Sequence, residues 1–197
     1  MITHNGDVDE QLGLSSQPLF GQHGSVIQEF GTLRLLPIAL SHEARLFSSQ
    51  MLNQILADTM ILYSLYKKHH WQMRGPTFYQ LHLLLDKHAG EQLELIDTLA
   101  ERVQMLGGVA IAEPRHVAEV TTIERPPDGV EEVGAMLARL LSAHEAIITA
   151  VRAAIARTAQ NGDGGSNDLL MGDVLRTHEQ QVWFLAEHLV DAPLLRA

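Results

Sequence analysis

Residues 69–108 read HHWQMRGPTFYQLHLLLDKHAGEQLELIDTLAERVQMLGG, and this stretch decides the fold. Gly75-Pro76 interrupts one helical pattern, and Pro76 suits the first turn of the next. Gly107-Gly108 is a strong C-terminal stop. The spacing between these breaks predicts a helix from about Pro76 to Leu106, with periodic Leu81, Leu84, Leu85, Leu95, Leu99 and Met105. Upstream, Ser41 opens a stripe at intervals of three and four through Ala44, Phe47, Met51, Ile55, Asp58, Leu62, Leu65 and His69. Two long helices therefore meet at one short turn.

Working outward, residues 109–128 form a long crossover carrying Pro114, Pro126 and Pro127, with a short helix expected around His116–Val120. A third helix is expected from about Gly129 to Thr158. The run Asn161–Gly165 makes a turn, and Ser166 or Asn167 is expected to cap a fourth helix that reaches about Val190. The pattern is all-α, a four-helix bundle over 41–190 whose second connection is long, which is the ferritin-like option. Residues 1–40 read as a partly irregular extension. Its apolar pieces Val26–Phe30 and Leu33–Leu36 either dock on a surface or form short strands. Residues 191–197 are a short C-terminal extension.

Composition narrows the chemistry. The 197 residues include no cysteine, which excludes disulfides, thiolate metal sites and cysteine nucleophiles. Acidic residues outnumber basic ones 24 to 14, a formal net charge of -10, and the only lysines are Lys67, Lys68 and Lys87. That balance disfavours a broad basic surface for nucleic acid. The 11 histidines are the natural nitrogen ligands if a metal binds. The first 30 residues hold no Lys or Arg and no apolar core run, so no secretory signal is expected. His, Arg or Glu is expected to break each apolar stretch before the roughly 18 residues of a membrane span. The expected location is the cytoplasm.

His82 and Asp86 lie four apart on one helical face, as do Asp97 and Glu101. Asp86 and Asp97 are separated by about 16 Å of helix rise, too far for one metal site. The pairs His82/Glu101 and Asp86/Asp97 share a midpoint at 91.5. Two copies of the helix laid antiparallel about a two-fold axis there would set His82 against the other copy's Glu101 and Asp86 against its Asp97. Two identical intersubunit sites result. Ala89 and Gly90 are expected near the axis, small enough for close approach. His70, at the end of the preceding helix, falls level with His82 across the turn. Two imidazoles with three carboxylates suit iron or manganese and also accept zinc.

The motif His70-Trp71-x-Met-Arg-Gly-Pro, with Phe78, His82, Asp86, Asp97 and Glu101 and closing on Leu106-Gly-Gly108, resembles the mini-ferritin family of DNA-binding proteins from starved cells (Dps). The resemblance implies a hollow homododecamer built from two-fold dimers. It implies two ferroxidase centres per dimer interface, where hydrogen peroxide oxidises ferrous iron before the ferric mineral is stored. His70, His82 and Asp86 would come from one subunit and Asp97 and Glu101 from its mate, with Asp86 and Glu101 contacting or bridging iron. Trp71 either intercepts oxidising equivalents or packs at the helix end. Zinc is a possible competing ion.

The chain departs from the DNA-binding pattern. Asp7, Asp9, Glu10 and Glu29 are the only charged side chains before Arg34, so no basic tail is present to contact phosphate. The expectation is therefore against direct DNA binding. A DNA-compacting structural protein and a zinc-bound cage with weak ferroxidase activity are the competing readings. Asp163, Asp168 and Asp173 are candidates for iron uptake or nucleation, with helix capping as the alternative. His4, His23 and His42, or His144, His178 and His188 with Glu145, Glu179 and Glu187, are candidate accessory metal sets, with scattered polar histidines as the alternative.

Overall fold

Two antiparallel helices form the half of the molecule that carries the candidate ligands. The computed structural model describes residues 20–191. Helix α1 runs His42–Gln72, and the Ser41 hydroxyl caps it by accepting from the Ala44 amide at 3.1 Å. A tight turn follows. Gly75 sits at φ 89°, a left-handed conformation that favours glycine. Helix α2 is Phe78–Met105, so Pro76 belongs to the turn rather than to the first helical turn, and Thr77 stands at the N-cap. The short α3, Pro114–Val120, punctuates the crossover, and α4 covers Val133–Gln160.

The last helix, α5, is α-helical over Gly164–Leu169, π-helical over Leu170–Leu175 and α-helical again over Arg176–Glu187. Its cap is Asp163, whose carboxylate accepts from the Ser166 amide at 3.0 Å. Ser166 and Asn167, expected as caps, lie inside the first turn instead. The glycines between the turn and the apolar run let the helix begin earlier than its first periodic residue. Long helices α1, α2, α4 and α5 make the four-helix bundle, with the crossover between α2 and α4. No strand occurs among the described residues.

The core is a continuous aliphatic cluster in which Leu52, Ile55, Leu56, Leu62, Leu85, Leu99, Leu140, Ile147 and Leu170 are fully buried. On α2, Leu81, Leu85, Leu95 and Leu99 point inward as expected, whereas Met105 is 54% exposed. By length and mean hydropathy α4 is apolar enough to cross a membrane, although Arg139, His144, Glu145 and Arg152 interrupt it as expected. Here its apolar stripe, including Met136, Leu140, Ile147 and Val151, is buried in the bundle.

The crossover is held to α1 by polar side chains. Asn53 donates to Val109 O at 3.0 Å and accepts from the Ile111 amide at 2.9 Å. Asp58 accepts from Thr121 Oγ1 at 2.7 Å and from the Thr122 amide at 2.6 Å. These bonds satisfy buried groups that would otherwise destabilise the fold. Of the two readings of the N-terminal pieces, docking holds. The Arg34 amide donates to Gly107 O at 2.9 Å, and Arg45 Nη2 donates to Arg34 O at 2.5 Å.

Candidate metal centre

Helix α2 has two distinct faces. Leu81, Leu85, His88, Ala89, Gln92, Leu95, Leu99 and Val103 are buried in the bundle. On the other face stand His82, Asp86, Gly90, Leu93, Asp97 and Glu101, of which only His82 is partly covered. Ala89 is 1% exposed and turned inward, so it does not flank the expected axis. Leu93, 53% exposed, lies with Gly90 on the exposed face. The reason is helical phase: 90 and 93 lie on the exposed face with Asp86 and Asp97, whereas 89 lies on the buried one.

His70 and His82 lock each other in place. Nδ1 of His70 donates to the His82 carbonyl at 2.8 Å, and Nδ1 of His82 donates to the His70 carbonyl at 3.0 Å. A carbonyl only accepts, so both imidazoles carry their proton on Nδ1. In the neutral imidazole each Nε2 then keeps a lone pair, the form a metal requires. The rings stack with centroids 3.8 Å apart, and Phe78 lies 5.0 Å beyond His82. The short α1–α2 turn thus sets two ligands, twelve residues apart, with a defined tautomer.

Asp86 completes this half of the site, its Oδ1 3.9 Å from His70 Nε2. Lys67, overlooked in the sequence, donates to the same oxygen at 2.6 Å. That bond is the main reason the Asp86 carboxyl is held below its usual range. Lys67 precedes Trp71 by one helical turn, a spacing that could have revealed it. Its ammonium also lies 5.7 Å from the centroid of the Trp71 ring, which is 71% exposed. Trp71 stands on the surface at the end of α1.

Asp97 and Glu101 lie further along the same exposed face, beyond reach of the His70–His82–Asp86 group within one chain. Among the described residues, no three His, Asp or Glu side chains form a metal cage within a single subunit. One subunit brings His70, His82 and Asp86 near one another without completing a cage, and leaves Asp97 and Glu101 at the other end of the face.

The remaining candidates separate. His144 and His178 meet in the core through a 2.8 Å Nδ1–Nδ1 hydrogen bond. His188 is exposed at the end of α5, Glu145 and Glu187 are exposed, and Glu179 pairs with Arg152 at 2.5 Å. The accessory set with these carboxylates does not form. His4 lies outside the described residues, and His23 and His42 are exposed. Asp163 is buried as a cap and pairs with Arg102 at 2.6 Å, so capping is its role. Asp168 and Asp173 are exposed.

A family profile described as "Ferritin-like domain" matches residues 49–195. The solved structure of DpsC from Streptomyces coelicolor is 67% identical, with a TM-score of 0.86, covering 87% of this chain and all of that one. A Dps homologue from the archaeon Halobacterium salinarum is 28% identical with a TM-score of 0.83, covering 88% of this chain and 96% of that one. A nutrient stress-induced DNA-binding protein of Nostoc sp. is 32% identical over 84% of this chain and 89% of its own length. Matches of this extent, joined to the bundle and its long crossover, establish that the chain belongs to the Dps mini-ferritin family, a branch of the ferritin-like iron-storage proteins.

Proposed function

We propose that this protein is a ferroxidase and iron store that oxidises ferrous iron with hydrogen peroxide at sites shared between two subunits, protecting the cell from oxidative damage. The observation that carries this reading is the divided ligand face. His70, His82 and Asp86 are gathered with both Nε2 lone pairs available, while Asp97 and Glu101 wait on the same exposed face around the 91.5 midpoint. A second copy placed about that midpoint supplies the missing carboxylates. Exposed Leu93 and Leu83 provide apolar area for the contact.

Each carboxylate and imidazole in this set suits ferrous iron, and open coordination positions admit an oxidant. Two ferrous ions supply two electrons, hydrogen peroxide accepts two, and two protons complete two waters. The pairing removes peroxide without releasing hydroxyl radical. The family supports a dodecamer of two-fold dimers, and the chemistry suits the cytoplasm. Zinc would compete for the same donors. Trp71, beside His70, is a candidate interceptor of oxidising equivalents.

The test is anaerobic ferrous titration of the metal-free cage followed by peroxide. Rapid oxidation that is lost in an assembled His82→Ala/Asp86→Ala variant supports the assignment; undiminished initial oxidation in that variant refutes it. A DNA-compacting role is favoured by the name of the Nostoc relative. Opposing it are the charge of -10 and the absence of basic residues before Arg34. We expect no gel shift at low salt with or without magnesium, and a tight complex would reverse that expectation.

A further inference from the structure

Behind the metal face, inside the bundle, lies a polar cluster that the proposed chemistry does not use. Tyr66 is fully buried, and its hydroxyl is 2.5 Å from Nε2 of His144. The other ring nitrogen of His144 is 2.8 Å from Nδ1 of His178, which is also fully buried. The phenol's one hydrogen has two acceptors within reach, His144 Nε2 and, by the longer contact of 3.1 Å, Gln181 Oε1, and Gln92 donates to the same Gln181 oxygen at 2.9 Å. When the phenol donates to His144, the Nδ1 proton of His144 points at His178. In that arrangement Tyr66 heads a hydrogen-bonded chain of two imidazoles inside the bundle.

This arrangement addresses what normally prevents a buried phenol from being oxidised. Losing an electron alone leaves a strongly acidic cation, and losing a proton alone leaves a buried phenolate. A base in contact with the hydroxyl takes the proton as the electron departs. Burial raises the pKa of Tyr66 well above its ordinary value and lowers that of His144 well below its own. Near neutral pH the phenol keeps its proton and the imidazole is free to receive it.

The location is equally specific. Tyr66 precedes His70 by one turn of α1, a rise of about 6 Å. Its ring also meets His88 edge-on at 5.4 Å, two residues beyond Asp86 on α2. Trp71 is the contrasting case: it is exposed, and the Lys67 ammonium over its ring opposes removal of an electron.

We infer that Tyr66, with His144 as proton acceptor, is a one-electron donor to the metal centre. The inference rests on the peroxide-ferroxidase reading. With two ferrous ions present, peroxide takes both electrons from iron. With one, the second electron comes from Tyr66. The oxygen–oxygen bond breaks, and peroxide is reduced to two waters using two solvent protons. Iron goes from ferrous to ferric, and the tyrosine becomes a neutral phenoxyl radical. The phenolic proton passes to Nε2 of His144, whose Nδ1 proton can move on to His178. Sites short of iron would thereby consume peroxide without releasing hydroxyl radical.

The experiment loads the full-length cage with one ferrous ion per site, adds peroxide, and freezes samples for electron paramagnetic resonance. A radical signal that narrows on ring deuteration of tyrosine, disappears in Tyr66→Phe and survives in Trp71→Phe is expected. The chain has three tyrosines, so Tyr63→Phe/Tyr79→Phe leaves Tyr66 alone and must retain the signal. That variant keeps the test decisive if Tyr66→Phe fails to assemble. In assembled His144→Gln, the phenol keeps a hydrogen-bond partner but loses its base. The radical yield should fall at least tenfold while two-iron oxidation persists. A signal that survives in Tyr66→Phe, or is missing from the Tyr66-only variant, overturns the inference. Rapid iron oxidation with no tyrosyl signal refutes the donor role and leaves the ferroxidase reading standing. Absence of iron oxidation refutes that reading and, with it, this one.

Discussion

Mixing two inactive variants should restore a quarter of the metal centres. The first variant, His82→Ala/Asp86→Ala, removes ligands gathered beside His70. The second, Asp97→Ala/Glu101→Ala, removes the pair at the far end of the exposed face of α2. In a homomeric cage of either variant, every site is damaged. A mixed dimer holds one site with His82 and Asp86 from one chain and Asp97 and Glu101 from the other, fully intact. Its twin carries all four defects. Random pairing makes about half the dimers mixed, and each has one good site of two, giving about one quarter of all sites. The assay is the initial rate of peroxide-dependent ferrous oxidation after dissociation and reassembly, with mass-tagged subunits confirming mixing. If each chain built a complete site alone, mixing would restore nothing beyond the average of the unmixed cages. Confirmed mixing without recovery would refute the shared-site geometry, and full activity in either unmixed variant would do so sooner.

Light scattering should report a particle near twelve times the 21.8 kDa chain mass, and a stable native monomer would count against intersubunit sites. Lys67→Met should tighten the first ferrous ion about two- to five-fold, because the ammonium on Asp86 is a partly exposed competitor; unchanged affinity by anaerobic titration would show that Lys67 does not compete. Gly107→Ala should lower thermal stability by at least about 1–2 kcal/mol from the left-handed backbone alone, since φ is 85° and the new Cβ would approach Arg45 Nη2 at 2.5 Å and Arg34 O at 2.6 Å; an unshifted melting temperature would contradict this. Burial pushes His69 and His88 to about 4 and His178 to about 3. Their folded pKa values lie below the unfolded value, so the unfolded chain binds more protons, and stability should fall as pH drops from about 6.5 toward 4. Each group contributes a slope of up to about 1.4 kcal/mol per pH unit. A melting temperature constant from pH 7 to 5 would contradict the assignment, and His69→Leu should flatten the curve.

How much of this was legible depends on the range of the interaction. The α1–α2 hairpin follows from local rules: apolar periodicity, Gly75-Pro76 and Gly107-Gly108 delimit it. The grouping of His70 with His82 follows from a short turn between antiparallel helices. The reciprocal Nδ1–carbonyl bonds were hidden because they depend on ring rotation at a tertiary contact. Lys67 was missed for a related reason: its flexible side chain crosses to Asp86 on another helix. Ala89 falls on the buried phase of α2, which its nearness to 91.5 does not register, and the N-cap of α5 is Asp163, before the glycines rather than beside the apolar run. The Tyr66–His144–His178 chain joins α1, α4 and α5 across long sequence separations, where no local spacing marks it.

The π-helical turn at Leu170–Leu175 acts on α5 as a vernier. Buried Ser166, Leu170, Val174 and His178 recur every four residues. In an uninterrupted α-helix, steps of four drift about 40° each, so the fourth member would swing roughly a third of the way around the axis. The wider turn takes up that drift and keeps His178 aimed at His144. The chain can be read here as carrying one residue more than a plain α-helix would need. Deleting a single residue within 170–175 would keep the helix axis and much of its hydrogen bonding, yet re-phase everything downstream. His178 and Gln181 would rotate off the core together, while the ligands on α1 and α2 stayed in place. The length of this one segment, more than the identity of any residue in it, sets which side chains the bundle interior receives from its last helix.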